Sequence, residues 1–238
     1  MDTRVQLAER RVAPRSIENY LDSYLDAIAE ATAIFREAVA VYLKAGPDGT
    51  CWRQARGISE QMRSVDDVQQ RLETTVAPQI VLGELVQELI DPFIGVGRLL
   101  KEMRRQVTGF AIESGFSGPG RSVPGHLISD VQELTDEVCA AVEALVESHR
   151  PPILLWAEQA SGEEAGSVSW HEGQADRLSM ELLKKIFADD AIELKQKLSL
   201  AQFVEEIDRL ADVAERLDQQ LQISCVKGLP AAYAGNSH

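Results

Sequence analysis

Aromatic side chains are scarce in this 238-residue chain, where Phe, Trp and Tyr supply only 5% of the residues. A surface that stacks nucleic-acid bases is built from such rings, so base recognition has little to work with. Positive charge is also in short supply. Lys and Arg number 24 against 38 Asp and Glu, for a net charge of −14, which repels a phosphodiester backbone and excludes nucleic acid as a partner. The three cysteines, Cys51, Cys139 and Cys225, are odd in number, far apart and without a C-x-x-C pair. That argues against a disulfide framework and fits a reducing compartment. Long apolar runs are missing: Pro151-Pro-Ile-Leu-Leu-Trp156 falls far short of the roughly 20 residues that span a bilayer. Met1 to Arg15 is charged and has no apolar stretch of the kind a signal peptide needs. Its Arg4, Arg10, Arg11 and Arg15, offset by Asp2 and Glu9, read as a solvated tail. The expectation is a soluble cytoplasmic protein.

What is present is helical periodicity. Hydrophobic residues make up 45% of the chain and charged ones 26%, a globular balance. Apolar positions recur at three- and four-residue intervals, and no segment shows sustained two-residue alternation. A first helix is predicted from near Ser16 through Ile17, Leu21, Tyr24, Ile28, Ala31, Phe35, Ala38 and Tyr42, ending at Gly46-Pro47. Others are predicted at about 51–76, 80–113 with Pro92 inside it, 124–160 disturbed at Pro151-Pro152, 168–188 and 190–222. Between the third and fourth lies Ser114-Gly-Phe-Ser-Gly-Pro-Gly-Arg-Ser122, the clearest linker in the chain. The order is a tail at 1–15, a three-helix unit at 16–113, a Gly-rich linker at 114–123, a second three-helix unit at 124–228 and a tail at 229–238. Fold class is therefore all-α, with two pseudo-repeated three-helix units.

Two acidic pairs stand out, Glu172-x-x-x-Asp176 and Asp208-x-x-x-Asp212. Carboxylates four residues apart in a helix leave from one face. Residue 192 is the midpoint of both 172–212 and 176–208, so a turn there would bring all four to one level as facing rows. Like charges so close need a cation, a proton or a basic side chain to compensate them. Oxygen donors alone suit a hard or borderline cation: iron, Mn²⁺, Mg²⁺ or Ca²⁺. His171, next to Glu172, points about 100° away around the helix and is not expected in the same cluster. The alternative is a solvated acidic face held apart by Arg177, Arg209 and Arg216. In the first unit, Asp66 and Asp91 occupy the corresponding positions, while Met62 and Gln87 replace their partners. Asp66 and Asp91 are thus secondary metal candidates.

Catalytic patterns are missing. The chain has no G-x-x-x-x-G-K-[ST], G-x-S-x-G or H-E-x-x-H. The residues three before His126, His149 and His171 are all valine, so the Glu-x-x-His pairs of di-iron bundles are not present either. Gly115 to Gly120 with Arg121 lacks the lysine of a phosphate-cradling loop. Cys139, on an apolar stripe, reads as a small core residue. No enzymatic activity is expected.

The stretch His171-Glu-Gly-Gln-Ala-Asp-Arg-Leu-Ser-Met-Glu-Leu-Leu-Lys-Lys-Ile-Phe187, followed by Val204-Glu-Glu-Ile-Asp-Arg-Leu-Ala-Asp-Val-Ala-Glu215, resembles the PhoU-like phosphate regulators. Within them it is most similar to accessory proteins of Pit-type inorganic phosphate transporters. The resemblance spans roughly 16–228 and is strongest in the second unit. It implies a PhoU-like helical bundle of two three-helix units, metal held at E/D-x-x-x-D motifs, and control of phosphate uptake rather than turnover of a substrate. Glu172, Asp176, Asp208 and Asp212 match that motif; in the first unit only Asp66 and Asp91 do. The implied partner is a membrane phosphate transporter, the implied location cytoplasmic or peripheral at the inner membrane face. A metal-independent helical scaffold or homo-oligomer is the other reading.

Overall fold

The computed structural model describes residues 14–46, 50–76, 97–111, 123–150 and 165–233. Every regular element among them is helical, in six helices. They are α1 (Pro14–Ala45), α2 (Cys51–Val76), α3 (97–111), α4 (Ile128–Ser148, entered by a 3-10 turn at Gly125–Leu127), α5 (Val168–Ala188) and α6 (Leu194–Tyr233). The predicted order holds. The interior of α1 is the predicted stripe: Tyr24, Ile28, Ala31, Phe35, Ala38 and Tyr42 are all buried. Gly46 ends it with φ +60°, the left-handed conformation that costs glycine nothing.

Some boundaries differ. The helix begins at Pro14 rather than after a 15-residue tail, because proline's fixed φ suits the first turn and its missing N–H is not needed there. Helix α4 stops at Ser148 instead of running on past Pro151, since the residue before a proline is pushed out of the helical region and the ending spreads upstream. Helix α6 continues to Tyr233, into what the sequence assigns to a tail. The helical span thus includes the proline at 230, a residue type that lacks a donor and crowds the carbonyl four residues back. The linker at 114–122, Pro92, Pro151-Pro152 and the cysteine at 225 as a side chain lie outside the described residues.

Helix α4 is the hub. It packs on α1, α5 and α6, and nine of its side chains are buried, more than a single narrow stripe supplies. Two arginines set its register on α1. Arg36 reaches Asp136 at 3.2 Å and Glu143 at 2.8 Å, and Arg150 reaches Asp22 and Asp26, each at 2.6 Å. These partly exposed pairs add at most about 1 kcal/mol each; the buried apolar faces carry the stability. Cys139 is buried in this contact, as its apolar stripe predicts. The halves also meet where Tyr42 of α1 stacks on Phe110 of α3 at 4.5 Å, with Phe203 of α6 edge-on to Phe110 at 5.4 Å. In both first helices a buried threonine hides its hydroxyl by donating one turn back, Thr32 to Ile28 O and Thr135 to Val131 O.

Phe35, fully buried in α1, is the severe test of this core. Phe35→Ala is expected to lower unfolding free energy by about 3–5 kcal/mol, read as a lower urea midpoint at unchanged slope.

Candidate metal centre

Helix α5 starts where Ser167 caps it, its hydroxyl accepting from Trp170 N at 3.2 Å. Its far end is locked by the turn that follows. Asp189 Oδ1 accepts from Ala191 N at 2.8 Å, the side chain mimicking a backbone turn. Ile192 is buried beneath it. Lys197 reaches back to Phe187 O at 2.8 Å, capping the carbonyl end of α5. Two further contacts pin the turn to the start of α4: His126 Nε2 to Asp189 at 2.9 Å and Lys185 to Asp130 at 2.9 Å.

The register that results is the one centred on residue 192. Ser169 Oγ donates to Glu215 at 2.9 Å, and Ser179 Oγ donates to Asp208 Oδ2 at 2.8 Å. Between these cross-links, carboxylate oxygens of Glu172, Asp176 and Asp212 all lie within 4.8 Å of one another. A calcium-sized ion bonded at about 2.3–2.6 Å spans ligand atoms up to about 4.6–5.2 Å apart, so such an ion fits this spread. Asp176 is exposed, Glu172 and Asp212 partly so, which leaves positions open to solvent. Asp208 sits beside this group but outside it. One of its oxygens is engaged by Ser179, and the other is shielded from solvent with no partner, an orphaned acceptor at the cluster's inner edge.

One acid was missed by the sequence reading as a site residue. Glu215 lies three residues beyond Asp212 and seven beyond Asp208, hence on the same stripe of α6; that spacing was the available signal. After burial, its charge is the largest influence on Glu172. The basic side chains divide. Arg177 turns along its own helix to Gln174 and Glu181, while Arg209 and Arg216 act on Asp212. His171 points to Glu137 of α4 at 2.6 Å, away from the cluster. In the first unit Asp66 is exposed, and Met62 packs against the core. Asp91 and Gln87 lie outside the described residues.

A second polar group, Ser148, His149 and Asp218, has the residue types of a hydrolytic triad. Its geometry is wrong for one: serine at 2.9 Å and aspartate at 3.7 Å both face Nδ1 of His149, which also meets Leu145 O at 3.0 Å. A triad needs its serine and aspartate on opposite ring nitrogens.

Crowding shows in the acidities. Burial, then the charges of Glu215, Asp176, Asp212 and Asp208, pushes Glu172 up to about 7. Burial raises Asp208 to about 6 against the pull of Ser179, with Asp176 and Asp212 adding to the rise. Asp212 is raised by burial and Asp176, and Asp218 by burial to about 6. Such carboxyls hold more protons folded than unfolded, where they titrate near about 4. Their stabilisation is therefore present at low pH and is lost as pH rises through about 6–7. Buried His149, lowered to about 4, works the other way, one group against four. Metal-free protein is expected to gain Tm as pH falls from about 8 to about 5.5, and Glu172→Gln is expected to flatten that rise in calorimetry with chelator present.

No protein-family model matches the chain, and no curated protein matches it in sequence. Solved structures do. A putative PhoU-like phosphate regulatory protein from Shewanella oneidensis MR-1 superposes with a TM-score of 0.69 at 13% identity, covering 90% of this chain and 99% of that one. A PhoU-like protein from the same organism superposes with a TM-score of 0.68 at 15% identity, with the same coverage. At such identity the likeness is one of architecture, and on that ground the chain has the helical fold of PhoU-like proteins.

Proposed function

We propose that this chain is a regulatory accessory protein of inorganic phosphate uptake, acting on a Pit-type membrane transporter from the cytoplasmic side. It does so with a metal ion held by Glu172, Asp176 and Asp212. The observation that carries the reading is the meeting of these three carboxylates across one helix hairpin, within a fold shared with a protein described as a phosphate regulator. Asp208 and Glu215 complete the negative field around the site. Among the described residues no helix is long and apolar enough to cross a membrane, so the partner would supply the membrane span.

The role of the ion is electrostatic. Three carboxylates, with two more beside them, repel one another across α5 and α6; a divalent or trivalent cation turns that repulsion into a clamp. The clamp fixes the hairpin and the surface it presents, and loss of the ion loosens both. Nothing in this scheme asks for a nucleophile or a general base, and the residues in reach of the cluster are acids, serines and arginines.

Protein purified without chelator is expected to carry near-stoichiometric metal by elemental analysis. Refilling stripped protein with a hundredfold excess of metal over the dissociation constant is expected to add about 2.7 kcal/mol of stability. Glu172→Gln with Asp212→Asn abolishes both effects if the assignment is right. Unchanged metal content in that double variant would sink the site, and failure to co-purify with a Pit-type transporter would sink the partner.

A further inference from the structure

We infer that the tip of the α5–α6 hairpin is a docking surface for a second copy of this chain, independently of any metal. Three large apolar side chains near the turn face solvent, Phe187 48%, Leu194 68% and Leu198 56% exposed, and Met180, 59% exposed, lies two turns further back on α5. They are not strays from the core. Ile186, Ile192 and Leu200 already fill the inner side of the tip, and the exposed four lie on two outward stripes. Met180 and Phe187 are seven residues apart on α5, and Leu194 and Leu198 are one turn apart on α6. A cluster of this kind on an otherwise charged surface marks an interaction site.

Charge selects the occupant. The chain carries −14 overall, so two copies repel one another across most of their surfaces. The tip is different. Four of the chain's seven lysines fall within 184–197, balanced over 181–193 by Glu181, Asp189, Asp190 and Glu193. Some of these are committed within the molecule: Lys185 to Asp130, Lys197 to the end of α5, Asp189 to His126 and Glu181 to Arg177. Among the described residues Lys184, Lys195, Asp190 and Glu193 take part in no ion pair, which leaves two cations and two anions on offer. A uniformly acidic or basic partner would oppose half of them with like charge. A second copy brings two lysines and two carboxylates of its own, so opposite charges are available to pair across a two-fold axis, as a self-complementary interface requires.

The apolar area is small beside the roughly 1,200–2,000 Å² of a standard interface, so the dimer is weak and concentration-dependent. Sedimentation velocity on the full chain, over a range of concentrations, tests it. Wild-type protein is expected to show a reversible monomer–dimer equilibrium. Leu194→Asp with Leu198→Asp, both at exposed positions, is expected to weaken it by about tenfold or more. Lys184→Glu with Lys195→Glu should weaken it as well, and mixing that variant with Asp190→Lys plus Glu193→Lys should restore pairing between the two. Wild-type protein that stays monomeric throughout overturns the inference, as does a dimer indifferent to all these changes. Monomeric binding to phosphatidylcholine or phosphatidylserine vesicles, abolished by the Leu194 and Leu198 changes, overturns it in favour of a lipid surface.

Discussion

Like-charge repulsion across one pair of antiparallel helices is the constraint around which the second half of this molecule is arranged. Glu172 and Asp176 on α5 face Asp212 on α6, with Asp208 and Glu215 adjoining. A hairpin with five acids along one side would splay unless something else held it shut. What holds it is the buried seam around Ala175, Leu182, Val204 and Ile207, together with the turn. Asp189 organises the backbone there, Ile192 is buried, and His126 and Asp130 fasten the turn to α4. At the opposite side of the cluster Ser169 bridges to Glu215. The site is thus kept under electrostatic load by contacts that lie outside it, which is the condition for a cation to have a large effect.

The load is passed to the rest of the fold through α4. That helix touches both members of the hairpin and also α1, so any change in the α5–α6 spacing meets the buried face around Leu134, Val138 and Leu145. Close packing makes such a core resist gradual deformation. The arginine pairs from Arg36 and Arg150 lie at the far side of α4, where sliding of α4 on α1 would break charge-assisted bonds that are individually weak. The hairpin and the junction between the two halves therefore share one packed element, α4.

Much of this was legible in the residues. The apolar stripe of α1 was readable because helix spacing alone decides which side chains share a face. The register of the acidic pairs followed from a turn whose centre is fixed by arithmetic on 172, 176, 208 and 212. Other features depend on distances that no spacing contains. Asp208 satisfies the same pattern as its neighbours, yet Ser179 engages it and leaves it beside the three-acid group rather than in it. Glu215 lay on the right stripe but at three residues rather than four from Asp212, and only the fold shows it pressing on Glu172. The interruption expected at Pro151-Pro152 begins earlier, since the backbone already leaves the helix at His149, and the apolar pattern that runs on through Pro151 holds no sign of that. The architecture shared with PhoU-like proteins was foreseen from the motif progression. The proposed ion and transporter belong to chemistry that a fold does not carry.

Met62 packs into the core where the second half has Glu172. The first half thus sets an apolar side chain at the position that matches an acid of the second. Under the proposed assignment, a change in free cation concentration acts on the second half alone. With the ion placed as proposed, the two ends of the bundle differ in what they answer to: one is held by apolar contact whatever the medium, the other follows its cation.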